Sequence, residues 1–266
     1  MAIRSALINV MAKAADTAAR SLKRDFGEVE LLQVSRKGPA DFVSTADFKA
    51  QKILREELGK ARPDFGFLME EEDGVADTSQ KSERWIVDPL DGTSNFLHGL
   101  PHWCISIAAE RAGEIIAGLI MDPVRDEMFW AEKGLGAYNN NQRLRVSARK
   151  DLSECLIATG IPFKGCSATE HEEFLLQMKN IMSKVAGIRR FGAAALDMAY
   201  VAAGRYDGYW EHSINSWDIA AGIILVKEAG GFIASLDAKQ SPLAHGSIIA
   251  SNSAIHSEFS SLLKKS

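Results

Sequence analysis

Ile3, Leu7, Val10, Met11, Ala14, Ala18 and Leu22 recur at helical spacing and predict a long amphipathic helix ending near Gly27. A short apolar piece at 31–34 follows. The stretch Ser35-Arg36-Lys37-Gly38-Pro39 sets two charges beside two chain punctuators and reads as an exposed loop able to move. Ser44 or Thr45 then caps a second helix carrying Ala46, Ala50, Ile53, Leu54 and Leu58 on one face, stopped by Pro63. Two helices are therefore expected before the first clear sheet. The apolar run 65–69 reads as a buried strand that ends abruptly in Glu70-Glu71-Glu72-Asp73-Gly74. A polar loop over 75–84 leads to a strand at Trp85-Ile86-Val87, which runs into a second acidic turn, Asp88-Pro89-Leu90-Asp91-Gly92-Thr93. Segments at 104–110, 115–121 and 128–131, with a turn at Asn139-Asn140-Asn141, predict a largely antiparallel sheet.

Beyond residue 150 the pattern alternates. Strands are expected at 156–158, 187–190, 207–211, 232–236 and 247–250, and helices at 169–184, 194–203, 217–229 and from about 253. This is α/β rhythm. The chain of 266 residues is 46% hydrophobic and 25% charged, which fits a folded protein and excludes a disordered one. At this length two lobes sharing an interface are expected, an α+β lobe giving way to an α/β lobe near Ser147.

The charge balance, 31 basic against 35 acidic residues for a net −4, disfavours direct nucleic-acid binding, because no basic run exceeds Arg189-Arg190 or Lys264-Lys265. Residues 1–20 interrupt every short apolar run with polar groups, so neither a signal peptide nor a membrane span is expected. Cys104, Cys155 and Cys166 match no disulfide or zinc spacing, which fits a reducing cytoplasm. His98 and His102 lack partners at metal spacing and read as surface or supporting groups. Gly134-Leu135-Gly136 lacks the third glycine and following helix of a dinucleotide fingerprint.

The chemistry concentrates in acids standing where regular elements end: Glu70 and Glu71, Asp88, Asp91, and Asp218. Such a set offers a hard divalent cation the oxygen ligands it prefers. Pro89 stiffens the turn between Asp88 and Asp91 so that both can face one side, with the Leu90 carbonyl as a further ligand and Asp88 shared by two metals. Gly92-Thr93-Ser94-Asn95 follows, where small side chains let backbone N–H groups approach an anion. A phosphate ester seated there would be neutralised by metals and attacked in line by an acidified water, oriented by Thr93 and deprotonated by Glu70 or a second carboxylate. Taken singly, each piece has an ordinary reading: D-x-x-D-G as a capped turn, the Glu70–Asp73 cluster as a solvated loop, Asp218 as a helix-dipole partner.

Two longer stretches narrow this reading. Trp85-Ile86-Val87-Asp88-Pro89-Leu90-Asp91-Gly92-Thr93-Ser94-Asn95-Phe96, and Trp217-Asp218-Ile219-Ala220-Ala221-Gly222 followed by Glu228-Ala229-Gly230-Gly231, resemble the two signatures of the inositol monophosphatase family. That family comprises magnesium-dependent, lithium-sensitive phosphatases. The resemblance covers nearly the whole chain and implies one domain, residues 1–266, with a layered α+β and α/β sugar-phosphatase fold (alternating α-β-α-β-α layers). Its lobes would span roughly 1–147, with a mainly antiparallel sheet, and 148–266.

Position by position, the resemblance implies Glu70, Asp88, the Leu90 carbonyl, Asp91 and Asp218 as ligands of two or three Mg²⁺ ions, with Asp88 bridging. It implies Gly92 and Thr93 as phosphate holders, and Asp47 as the partner that helps Thr93 activate water. Glu211 would bond substrate hydroxyls, the segment Gly192-Ala193-Ala194 would border the substrate ring together with Asp218, and the Arg36-Lys37 loop would be a flap closing near the metals. The longer acidic run leaves Glu71 as an alternative to Glu70, with Glu70 preferred because it keeps 67–69 in register. Ala193 stands where a hydroxyl residue is common in the family and Ser94 where a second threonine is, and His212-Ser213 departs from the pattern near the expected leaving group. The implied substrate is a small polyol or sugar phosphate, first of all inositol 1-phosphate; relatives act on fructose 1,6-bisphosphate, histidinol phosphate or adenosine 3′,5′-bisphosphate. A homodimer is expected. The rival class is a transcription-linked protein that contacts RNA polymerase.

Overall fold

The computed structural model describes residues 3–28, 34–38, 41–70, 81–162, 166–237 and 240–264. Helix α1 (Ala6–Phe26) is opened by Ser5, whose side chain accepts the Ile8 N–H at 3.1 Å, and it buries Ile8, Met11, Ala15, Ala18 and Leu22. Ile3 lies outside it and is exposed. Strands β1 (Val34–Gly38) and β2 (Asp41–Ser44) pair as an antiparallel hairpin, so most of the segment read as an exposed loop is paired backbone. Helix α2 (Thr45–Ala61) starts at Ser44, whose backbone N–H donates to Asp47 Oδ2 at 2.9 Å, a reciprocal cap that fixes the helix entry. Residues 31–33 and 71–80, which include Glu71, Glu72, Asp73 and most of the expected polar loop, lie outside the described residues.

Next come β3 (Gly66–Met69), β4 (Glu83–Asp91), the short helix α3 (Thr93–Leu97), β5 (Cys104–Arg111), β6 (Glu114–Asp122), β7 (Glu127–Glu132), β8 (Gly136–Asn139) and β9 (Gln142–Arg143). These strands form one seven-stranded sheet in sequence order, antiparallel except for the β3–β4 pair. The strand at Trp85 is longer than the sequence suggests: it does not stop at Asp88 but resumes its pairing at Asp91 after a break.

A 3-10 turn (Leu152–Glu154), absent from the sequence reading, precedes β10 (Leu156–Thr159), α4 (Ala168–Met182), β11 (Gly187–Arg189), α5 (Ala194–Ala202), β12 (Gly208–His212), α6 (Ser216–Glu228) and β13 (Phe232–Ala234). A one-turn helix α7 (Pro242–His245), also unforeseen, leads to β14 (Ser247–Ser251) and α8 (His256–Leu263), which begins three residues later than expected. The second sheet runs β11-β10-β12-β14-β13. Its first three strands are parallel, as the α/β rhythm implies, whereas β14 is antiparallel to both neighbours.

The elements stack in five layers. Helices α1 and α2 cover one face of the large sheet, α5 and α6 fill the space between the two sheets, and α4 and α8 close the far face of the second. The period-2 alternation of strands makes this possible. Trp85 and Val87 point to α1 and α2 while Ile86 points to α6; Tyr209 faces α6 while Trp210 faces α4 and α8. Because α6 lies between sheets it is apolar nearly all round, with Ile219 through Val226 all buried. A Cβ on Gly118 would lie 2.7 Å from the Ala221 carbonyl oxygen, so glycine on β6 is what lets α6 approach this closely. The Gly134 and Gly136 N–H groups donate to the Glu228 carboxylate at 2.9 and 2.8 Å, which ties the β7–β8 turn to the end of α6.

Candidate active site

On a regular strand, residues three apart point to opposite faces. Asp88 pairs with Ser106 and Asp91 with Cys104, so β4 uses three steps where β5 uses two. That one-residue bulge returns Asp91 to the side that Asp88 faces. Pro89, which has no N–H to donate, sits where the pairing is interrupted and loses nothing there. Asp88 turns its local backbone inward as well, because Oδ1 accepts the Leu90 N–H at 2.9 Å.

Two other segments bring acids to the same place. The Glu70 N–H donates to the Val87 carbonyl at 3.3 Å, extending the parallel β3–β4 register by one step and setting Glu70 beside Asp88. Asp218 stands in the first turn of α6, where Oδ2 accepts the Asn215 N–H at 2.8 Å. The Ser106 hydroxyl donates to the Trp217 carbonyl at 3.2 Å, clamping β5 to the start of α6. Asp91 Oδ2 accepts the Ala195 N–H at 2.8 Å and so caps α5 from the large sheet.

These carboxyls repel one another. Asp88 is raised well above the ordinary carboxylate range, by burial first and then by the charges of Glu70, Asp91 and Asp218. Asp218 is raised in the same way, by loss of solvent and then by Asp91 and Glu70. Burial pushes Asp91 up to about 6 against the pull of the Ala195 N–H and the Cys104 thiol. The acids ring a space without closing on it: among the described residues no trio of His, Cys, Asp or Glu is drawn tightly enough to hold a metal ion. The donor chemistry nevertheless fits a hard divalent cation, since all are carboxyl or carbonyl oxygens and mutual repulsion is what a cation would relieve.

Gly92 has φ +89°, and a Cβ there would meet the His102 carbonyl at 3.0 Å and the Ala193 methyl at 3.3 Å, so the turn into α3 requires glycine. The Thr93 hydroxyl lies 3.0 Å from the Leu90 carbonyl and 3.1 Å from Asp47 Oδ1. Asp47 is fully buried, and burial raises its carboxyl while bonds from Ser44 and Thr93 oppose the rise.

A cavity of about 340 Å³ opens in front of these groups. Of the sequence-derived residues, Glu70, Asp91, Gly92, Thr93, Gly192, Ala193, Ala194, Glu211 and Asp218 line it, whereas Asp88, Leu90 and Asp47 stand behind its wall. Glu211 accepts a hydrogen bond from the Tyr209 hydroxyl, and burial together with the Asp91 charge pushes it up to about 7, opposed by Tyr209 and Arg190. Of the departures noted in the sequence, Ser213 lines the cavity, but the His212 ring turns to Gln177 Oε1 at 2.7 Å.

The sequence reading placed Asn95 in the anion seat without a side-chain role and missed Gly160, Arg190 and Asp197; all four line the cavity. Asn95 Nδ2 lies 2.7 Å from both the His102 and Phe191 carbonyls and holds the Gly192 segment against α3. Its place inside the first signature was the signal available. Asp197 gave none, because an acid in a first helical turn ordinarily only complements the dipole.

A sequence model of the inositol monophosphatase family matches residues 3–266. The inositol-1-monophosphatase of Mesorhizobium japonicum is 53% identical over 262 residues, covering 98% of this chain and 97% of that one. A protein of Pseudomonas aeruginosa called Nus factor SuhB is 39% identical over 247 residues, covering 92% and 91%. Among solved structures, the extragenic suppressor protein suhB of Bartonella henselae superposes with a TM-score of 0.92 at 53% identity, covering 98% of this chain and 99% of that one.

Proposed function

The chain belongs to the inositol monophosphatase family, and we propose that it is a Mg²⁺-dependent phosphomonoesterase whose substrate is a small polyol phosphate, first of all inositol 1-phosphate. It is a phosphatase by family. The substrate reading is supported by the name of the Mesorhizobium relative and by a cavity lined both by Glu70, Asp91, Gly92 and Thr93 and by Glu211. The single observation that carries it is the β4 bulge, which turns Asp88 and Asp91 to one side, next to Glu70 and Asp218 and at the start of α3.

Glu70, Asp88, Asp91, Asp218 and the Leu90 carbonyl would hold two or three Mg²⁺ ions. When bound, Mg²⁺ supplies positive charge that neutralises the ester and lowers the pKa of water. The N–H groups opening α3 after Gly92 receive the phosphate oxygens. Asp47 accepts the Thr93 hydroxyl proton in a hydrogen bond and leaves the hydroxyl oxygen turned to orient the attacking water, and Glu70 takes that water's proton. Glu211 and the Gly192–Ala194 segment hold the alcohol part of the ester.

The chain changes sheets between β9 and β10, which supports reading residues 1–266 as one domain of two lobes dividing near 147. Lithium inhibition, a homodimer and a cytoplasmic location belong to the same reading; among the described residues no helix is long and apolar enough to cross a membrane. The test is phosphate release with and without Mg²⁺ from inositol 1-phosphate, fructose 1,6-bisphosphate, histidinol phosphate and adenosine 3′,5′-bisphosphate. Fastest Mg²⁺-dependent release from the inositol ester is expected, and no release from it would overturn the assignment.

A second reading, a transcription protein that contacts RNA polymerase, draws on the Pseudomonas relative called a Nus factor. The enzyme-named relative is the more similar, 53% against 39%. Recovery of RNA polymerase on the immobilised protein, undiminished by Asp91→Asn, would support this second role beside the first.

A further inference from the structure

Asp197 combines three properties that do not usually occur together. It is only 1% exposed, it lines the cavity, and among the described residues its Oδ1 has no hydrogen-bond partner. Buried polar groups are nearly always paired, so an orphaned carboxyl oxygen at a cavity wall marks a place where something else supplies the donor. Its position explains how it reaches the cavity. The Asp197 N–H bonds back to the Ala193 carbonyl at 3.0 Å, so the residue lies one turn below Ala193 and Ala194, on the face they share. Ala193, Ala194 and Asp197 all line the cavity, and neither alanine offers a side-chain donor to the carboxyl.

The surroundings indicate what the donor is. Glu211, from β12, lines the same cavity, and its charge acts on Asp197 strongly enough to help raise that carboxyl, after burial and ahead of Asp91. Arg190 acts in the opposite direction. Two acids facing one cavity accept hydrogen bonds from a neutral ligand rich in hydroxyls, and both repel a second anion. The phosphate therefore belongs at the Gly92 end and the polyol at this one. The Tyr206 hydroxyl is also buried without a partner among the described residues, and burial first and then the Asp197 charge push it up, so a water bridging the two is the competing use of Asp197.

We propose that Asp197 is a substrate-binding residue that acts beside Glu211, accepting a hydroxyl of the ester's alcohol part and so selecting phosphates of polyols with neighbouring hydroxyls. This rests on the phosphomonoesterase reading above. The experiment compares kcat/KM of wild type, Asp197→Asn and Asp197→Ser for inositol 1-phosphate, its single-deoxy analogues and p-nitrophenyl phosphate, all with Mg²⁺. The ratio of inositol 1-phosphate to p-nitrophenyl phosphate activity should fall about 10- to 100-fold in the variants. One deoxy analogue should lose a similar factor with wild type and lose nothing further with the variants. Equal falls on both esters, an unchanged ratio, or deoxy penalties identical in wild type and variants would assign Asp197 to the water bridge and overturn the proposal. Should Asp197→Asn prove insoluble, the serine variant carries the same comparison. Failure of the wild type to release phosphate from any ester would instead overturn the phosphatase reading, and this proposal with it.

Discussion

The Asp91 carboxylate reaches from the large sheet to the first turn of α5, where Oδ2 accepts the Ala195 N–H at 2.8 Å. One side chain thus closes a helix end and faces the cavity, and its two roles separate on substitution. Asp91→Asn keeps an acceptor for the N–H and removes the charge. Its melting temperature should stay within a few degrees of wild type while Mg²⁺-dependent turnover falls about 100-fold or more. Asp91→Ala strands a buried N–H and should lose stability as well, by about 1–3 kcal/mol. Thermal unfolding and phosphate release measured on both variants check this; near-normal turnover by Asp91→Asn would remove Asp91 from the ligand set.

Thr93 and Ser44 share Asp47, one oxygen each. Thr93→Ala leaves the α2 cap intact and should lower kcat by roughly 100-fold with little change in melting. Ser44→Ala should show the converse balance, with about 1 kcal/mol lost from the α2 start and a smaller loss of turnover. If Thr93→Ala turned over like wild type, the water-orienting role would be wrong.

A Cβ at residue 160 would sit 1.8 Å from Glu211 Oε1. Gly160→Ala therefore displaces the end of a long side chain while sparing the backbone, so the fold should hold. KM for inositol 1-phosphate should rise about 10-fold, with kcat less affected. An unchanged KM would argue that Glu211 does not touch the substrate.

Without metal, stability should fall as pH rises. Asp91 is shifted from 3.8 to about 6 and Glu211 from 4.5 to about 7, so between those values the folded state holds more protons than the unfolded chain. The stabilising term is complete below pH 4, declines through pH 6 to 7, and is gone above about 8. A divalent cation replaces the lost protons. The melting temperature gained on adding Mg²⁺ should accordingly be several degrees at pH 8 and near zero at pH 5. A gain independent of pH would show that Mg²⁺ binds away from these acids.

Much of the local structure was legible because it depends on periods of two and 3.6 residues. The face of α1, the Ser44 cap and the apolar strands of the large sheet all follow from neighbours close in sequence. The pairing of 34–38 with 41–44 was not, because Arg36, Lys37 and Gly38 carry no strand pattern, and Arg36 and Gly38 pair across an irregularity at Lys37. Nor was the antiparallel β14, whose direction is set by how the chain turns back from β13 through α7.

By itself the sequence determined the chemistry: which acids end their elements, a proline and a glycine spaced to stiffen one turn and open the next, and long signatures that resemble a known family. The tertiary structure decided where that chemistry is directed. A one-residue bulge makes Asp88 and Asp91 agree in direction, parallel pairing sets Glu70 beside them, and the packing of α5 and α6 between two sheets brings Asp218 and Asp197 to the same cavity. The physical reason is range. Spacing and capping act within a turn of chain, whereas convergence of distant carboxyls requires burial to hold together charges that would otherwise separate.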